Sequence, residues 1–232
     1  MSDKISIILS TYNEAYCIEN TVNKIFKYIP NAEIILVDDN SSDGTLEKVK
    51  KINNPNLIFF SRKKRGLASA FLLGLINSSG NIVGWVDSNM DQIIHRYPEM
   101  IKELNEYDMV ILSRYIEGSK DMRNKVRVFS SYLINKFSKI ILRSSINDLS
   151  SGLFVMKRSV LNVVVPVAYG HGEFFMEFLN RAERSGIKIK EMPYEHPVDS
   201  EGNSKTFPNI FRFALLGFFY ILRVFRTLFE RK

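Results

Sequence analysis

The sequence predicts an α/β fold with a mostly parallel central sheet flanked by helices. Three observations carry that expectation. Short apolar runs alternate with longer segments of helical period through the first half of the chain, the pattern of strand–helix–strand units. Four of those runs end directly in polar or acidic clusters, and open sheets of this kind bind ligands outside the carboxyl ends of their strands. A length of 232 residues fits one large domain with an ample core.

In order, residues 5–10 form the first predicted strand and run into Thr11-Tyr12-Asn13-Glu14. Residues 15–29 have helical period, with Ile18, Val22, Ile25, Phe26 and Ile29 on one face. The run 33–37 (EIILV) is a second strand ending in Asp38-Asp39-Asn40-Ser41, after which Ser42 or Asp43 is placed to cap a helix over 45–51. A third strand is expected at 57–60 and a helix at 67–77, stopped by Ser78-Ser79-Gly80-Asn81. The run 82–86 (IVGWV) is a fourth strand, followed at once by Asp87-Ser88-Asn89-Met90-Asp91. Met109 to Leu112 leads into Ser113-Arg114-Tyr115. Beyond about residue 120 the alternation weakens: a helix over 125–143, a polar, turn-rich segment over 195–207 expected to be a mobile loop, and a last helix over 209–229.

Several classes are disfavoured. No G-x-G-x-x-G follows the first strand and no G-x-x-x-x-G-K-[ST] occurs, which argues against a dinucleotide site and a P-loop. The single cysteine, Cys17, excludes a disulfide framework and a cysteine metal site, and fits a reducing compartment. MSDK leads straight into a strand without signal-peptide architecture, so a cytoplasmic location is expected. The net charge of +7 suits phosphorylated substrates or anionic lipid, and equally a well-solvated surface. The basic residues are scattered, with no aromatic-interleaved groove, so nucleic acid is not an expected partner. A non-catalytic, basic module, membrane-associated or nucleic-acid-binding, is the reading of another class.

Asp87, Asn89 and Asp91 are spaced i, i+2, i+4, which in extended backbone puts three side chains on one side. They offer hard oxygen ligands suited to Mg²⁺ or Mn²⁺. The plainer alternative is a polar loop built from turn-forming residues.

STYNE, VDDNSSDGT, RKKRGLASAFLLGL, the acidic cluster and SRY, in that order, resemble family 2 glycosyltransferases of the GT-A fold, and among them dolichol-phosphate mannose synthases and other polyprenyl-phosphate glycosyltransferases. The resemblance covers residues 4–207. It implies nucleotide contacts from Thr11, Tyr12, Glu14, Asp38, Asp39, Arg65 and Gly66, with Lys205 in a G-x-S-K-like loop (Gly202 to Lys205) also on the donor side. It implies metal binding by Asp87, Asn89 and Asp91, with Asn where the family's second acid usually stands and Asp at the third position. Arg114 matches an arginine facing the phosphates, and Arg127 with Ser131 matches a pair holding the acceptor phosphate. Helical phasing adds that Arg127 and Ser131 share a face, with Lys136, Lys139 and Arg143 nearly opposite. Asp148-Leu149-Ser150-Ser151-Gly152 resembles the D-x-[ST]-S-G element, with Phe154 where a basic residue is usual; Asp199 likewise replaces a common arginine. By resemblance alone, Glu177 is given a role near the sugar. His95, His171 and His196 have no partner by spacing and are taken as ordinary.

The implied reaction is inverting transfer of a sugar from GDP-mannose or a UDP-hexose to dolichyl or undecaprenyl phosphate. The rival within the fold is transfer to a saccharide or other hydroxyl, which needs a general base, with Asp148 the candidate. Residues 1–207 form the expected transferase domain. Residues 208–232 form an amphipathic helix whose stretch 213–222 is too short to span a bilayer. Its Arg212, Arg223 and Arg226 fall on one narrow face, expected to meet headgroups while the apolar remainder meets a membrane surface or a transmembrane partner. The helix at 128–143 is placed to join it.

Overall fold

The sheet is organised around β1 (Ile5–Thr11), in which Ile7, Ile8 and Leu9 are fully buried. Ile7 and Leu9 belong to one hydrophobic cluster and Ile8 to the other, so strand alternation here separates two cores rather than core from solvent. A computed structural model describes residues 3–198 and 210–229, without the side chains of 210–214.

After β1 come α1 (Ile18–Tyr28), β2 (Glu33–Asp38), α2 (Thr45–Lys51), β3 (Leu57–Ser61), α3 (Leu67–Ile76) and β4 (Ile82–Trp85). A 3₁₀ turn (Asp91–Arg96), α4 (Tyr97–Glu103), β5 (Met109–Ser113), β6 (Lys120–Asp121) and α5 (Lys125–Leu142) follow. The last elements are β7 (Phe154–Lys157), α6 (Glu173–Arg184), β8 (Ile189–Pro193), β9 (Glu195–His196) and α7 (Ile210–Phe229). The main sheet has the order β3-β2-β1-β4-β7-β5-β8. It is parallel except for β7, which runs antiparallel to both β4 and β5. β6 and β9 form a separate two-stranded ribbon.

α1 buries Ile18, Val22 and Ile25 against one face of the sheet. α3 and α6 cover the other, with Phe71, Phe175 and Phe178 as their largest buried side chains. Gly74 lets α3 lie close on β1: a Cβ there would come within 2.5 Å of Ile8. Asp43 does serve the start of α2, where its carboxylate accepts the Thr45 N–H at 3.1 Å, although Gly44 occupies the cap position.

α7 packs on α5 and α6, and one of its arginines departs from the sequence expectation while Arg226 stays exposed. Arg223 is buried, as are Val224 and Thr227, while Leu215, Phe218, Phe219, Ile221, Leu222 and Phe225 are exposed. Arg223 therefore points into the protein and not at headgroups; its Nη1 donates to Glu177 at 2.8 Å. Phe129, Leu133, Phe137 and Ile140 of α5 continue the exposed apolar surface, with Phe137 and Phe225 in edge contact. Among the described residues no helix is long and apolar enough to cross a membrane.

Candidate functional site

A cavity of about 580 Å³ opens at the carboxyl edge of the sheet. Its floor is aromatic, made by Trp85, Phe154, Phe174 and Phe175, which pack ring on ring with Phe71. Phe154, which stands where the family pattern has a basic residue, belongs to this floor and is fully buried.

On one side the loops after β1 and β2 lock together. Asn13, in the left-handed region at φ 54°, accepts the Ser42 N–H on its side-chain oxygen at 2.9 Å. In return Ser41, Thr45 and Asp43 accept the backbone N–H groups of Asn13, Glu14 and Ala15. Asp38 is fully buried within this lock, taking the Thr11 and Ser41 hydroxyls at 3.0 and 2.5 Å. It does not reach the cavity, which corrects its reading as a nucleotide contact: a carboxylate at the strand end is needed to tie the two loops. Thr11, Tyr12, Glu14, Asp39, Arg65 and Gly66 all line the cavity. Asp39 accepts Arg62 Nε at 2.5 Å, Arg62 Nη2 at 3.1 Å and the Gly66 N–H at 2.7 Å. The Arg65 guanidinium lies 3.5 Å from the centre of the Tyr12 ring.

At the end of β4, Asp87 and Asn89 line the cavity and Asp91 does not. The chain leaves extended geometry after Asp87, whose carbonyl accepts the Met90 N–H at 2.9 Å, and enters the 3₁₀ turn at Asp91. Asp91 therefore faces α1, accepting Asn20 Nδ2 at 2.6 Å and pairing with Lys24 Nζ at 2.5 Å. The three-residue cluster is thus two residues at the cavity and one structural ion pair. Burial raises the Asp87 pKa above the usual carboxylate value, a shift opposed by a Trp85 Nε1 hydrogen bond and by His171, and reinforced by Glu14. His171 also lines the cavity.

The opposite side is cationic. Arg114, Arg123 and Arg127 face the cavity with Ser131. Arg114 is held by fully buried Asp148 through Nε and Nη2, both at 2.7 Å, and through its backbone N–H at 3.0 Å. The carboxylate beside it pushes the Arg114 pKa further up despite burial. Asp148 is absent from the cavity wall, so the carboxylate considered as a general base is occupied in fixing an arginine. Arg123 pairs with Asp121 at 2.6 Å and donates to the Ser131 hydroxyl at 3.5 Å. Glu177 is also turned from the site: it is fully buried beneath Arg223.

Sequence reasoning missed Arg62, Arg123, His171 and His196. Arg62 stands directly after β3 inside the RKKRGLASAFLLGL run, in which the resemblance implies contacts only from Arg65 and Gly66; the spacing of Arg123, His171 and His196 does not mark them, because their placement depends on the return of loops and the β6–β9 ribbon. The ribbon brings His196 to the cavity, where burial, with Arg123 and Arg114 nearby, lowers its pKa to about 4. Lys205, the Gly202–Lys205 loop and Asp199 lie outside the described residues.

A strand-edge cavity of this form on a mixed seven-stranded sheet is that of a GT-A glycosyltransferase fold. The chain superposes on glucosyl-3-phosphoglycerate synthase of Mycobacterium tuberculosis, in its complex with Mn²⁺, UDP-glucose and phosphoglyceric acid, with a TM-score of 0.75 at 17% identity over 100% of this chain and 82% of that one. Residues 6–165 match Glycosyl transferase family 2, and the chain belongs to that family. It is 28% identical over 213 residues to a dolichol-phosphate mannosyltransferase of Pyrococcus furiosus, an alignment spanning 87% of this chain and 59% of that protein's length. It is 26% identical over 221 residues to the dolichol-phosphate mannosyltransferase of Saccharomyces cerevisiae, covering 88% of this chain and 82% of that one. An undecaprenyl-phosphate mannosyltransferase of Micrococcus luteus is 24% identical over 212 residues, covering 87% of each chain.

Proposed function

We propose that this chain transfers a hexose, with inversion, from GDP-mannose or a UDP-hexose to a polyprenyl phosphate, dolichyl or undecaprenyl, at the cytoplasmic surface of a membrane. The observation that carries this reading is the division of one cavity into two ends. Tyr12, Glu14, Asp39 and Arg65 offer a nucleotide both aromatic surface and carboxylate acceptors. Arg114, Arg123, Arg127 and Ser131 offer an anionic acceptor fixed cationic donors. Lipid-phosphate specificity in the relatives named above supports the same acceptor class.

Asp87 and Asn89 present oxygen donors on the cavity wall, and the desolvated Asp87 carboxylate is suited to a hard cation. Among the described residues no group of three or more His, Cys, Asp or Glu forms a closed cage. Asp87 and Asn89 would hold Mg²⁺ or Mn²⁺, and such an ion, when bound, would neutralise charge on the leaving diphosphate. In the reaction, a phosphate oxygen of the acceptor forms the new bond to the anomeric carbon as the bond to the diphosphate breaks. A phosphate is already anionic at neutral pH, so the chain need supply no strong base; its arginines and Ser131 orient the acceptor and hold its charge. The engagement of Asp148 with Arg114 fits this reading better than a hydroxyl acceptor does.

The exposed apolar faces of α5 and α7 suit peripheral attachment to lipid. The test is sugar transfer from GDP- and UDP-sugars to polyprenyl phosphate, with Mn²⁺, Mg²⁺ or chelator, in the presence of vesicles. Metal-dependent lipid-linked product, lost in Asp87→Ala and Arg127→Ala, is the expected result. Product on a hydroxyl compound only, or no donor binding, would overturn it.

A further inference from the structure

Arg223 is a buried arginine on the helix farthest along the chain from the nucleotide-side motifs. Its Nη1 donates to Glu177 at 2.8 Å, its Nη2 donates to the Tyr169 carbonyl at 3.0 Å, and Nη2 lies 3.7 Å from Glu173 Oε1. The guanidinium also lies over the Tyr169 ring at 4.5 Å. Every one of these contacts is made to α6 or to the loop 169–172 before it.

That loop leads back to the cavity. Glu173 accepts the His171 N–H at 2.9 Å, so the carboxylate beside Arg223 also fixes the backbone of a residue that lines the cavity together with Asp87. The Gly170 carbonyl accepts the Ala68 N–H at 3.3 Å, joining the loop to the start of α3 next to Gly66. Gly170 has φ +113°, and a Cβ there would fall 2.7 Å from both Arg223 Nη2 and Glu173 Oε1. A side chain at 170 would be strained by that φ and would displace the ends of Arg223 and Glu173. One turn earlier on α7, the Tyr220 hydroxyl lies against Gly172, and Tyr220 lines the cavity.

We propose that Arg223 is a positioning residue for the diphosphate end of the cavity, acting through Glu173 and the 169–172 loop to hold His171 on the cavity wall it shares with Asp87. This deepens the proposed function and rests on it for the identity of the ligand. It also gives α7 a task that lipid attachment alone would not require: its inward face sets the geometry of the site while its outward face is free to seat on a surface.

The experiment is calorimetric binding of UDP and GDP to the full chain across a Mn²⁺ titration, with thermal unfolding in parallel. Removing Arg223 alone would strand Glu177, so the variant is Arg223→Gln with Glu177→Gln, which leaves no uncompensated charge in that pair. A second variant, Glu173→Gln, keeps the Arg223–Glu177 pair and weakens only the leg to the loop. For both, the Mn²⁺ concentration giving half-maximal nucleotide binding is expected to rise about tenfold, equivalent to ~1.4 kcal/mol. Combined with His171→Ala, the effect of Glu173→Gln should shrink to less than about twofold, since both act on one element. Additive losses, or lower melting temperatures with an unchanged Mn²⁺ dependence, overturn the proposal. If the paired variant does not fold, Glu173→Gln decides alone. Wild-type chain that binds neither nucleotide overturns the donor reading and this one together; normal wild-type binding with unaltered variants overturns this one only.

Discussion

Replacing Asp148 by asparagine separates a carboxylate that builds the site from one that takes a proton. Asp148 is fully buried and receives the Arg114 side chain at two points, the Arg114 N–H and, at 3.3 Å, the Ser150 N–H. Asparagine keeps one acceptor oxygen but turns an NH₂ toward a guanidinium and removes the charge that Arg114 was buried against. Breaking a buried ion pair from one side costs about 3–5 kcal/mol. Near-isosteric shape and the retained acceptor favour the low end, about 3 kcal/mol, or roughly 6–12 °C in melting temperature for a domain of this size. The assay is thermal unfolding with transfer measured well below the midpoint. A large loss of stability is expected, together with weaker use of the acceptor as Arg114 loses its anchor, and with donor binding kept. A variant as stable as wild type that binds donor normally yet transfers nothing would refute this reasoning and restore Asp148 as the general base for a hydroxyl acceptor.

Three further outcomes follow from the same geometry. Asp91→Asn should retain metal-dependent transfer within a few-fold of wild type and lose only the partly exposed Lys24 pair, at most about 1 kcal/mol, whereas Asp87→Asn should abolish transfer. Arg62→Met should weaken nucleotide binding about tenfold in calorimetry by releasing Asp39, with acceptor KM unchanged. His196 has its folded pKa lowered from 6.5 to about 4, so it contributes nothing above pH 6.5, and stability falls as pH drops from 6.5 to 4 while only the unfolded chain gains the proton. That loss is about 2–3 kcal/mol after allowance for partial exposure, and urea unfolding of His196→Gln should lack this part of the acid slope.

The first half of the fold was legible because its strands are continuous apolar runs with clear stops. The predicted helix at 45–51 matches α2, and the helix at 125–143 differs from α5 by one residue. β7 and β8 were not legible. Phe154–Lys157 is too short to show a period, and β8 at the sheet edge is mostly half-buried and reads as polar sequence. The lining of the candidate site was legible at strand ends, as for Tyr12, Asp39, Asp87 and Arg114. It failed at Asp91, where the i, i+2, i+4 argument assumed an extended backbone that the 3₁₀ turn replaces. It failed again at Arg223, because helical phasing shows that arginines share a face but not which face looks inward. Carboxylates on α6, far away in sequence, decide that.

The lock between the loops after β1 and β2 changes what the sequence D-D-N-S-S-D-G-T signifies. Its Asp38, Ser41, Asp43 and Thr45 hold neighbouring backbone, and of its two leading acids only Asp39 reaches the cavity. Most of the signature is thus a recipe for assembling a loop. A chain could lose every group that touches sugar or phosphate and still need those letters in order to fold, so the motif identifies the scaffold, and the chemistry has to be sought in the residues that the scaffold leaves facing inward.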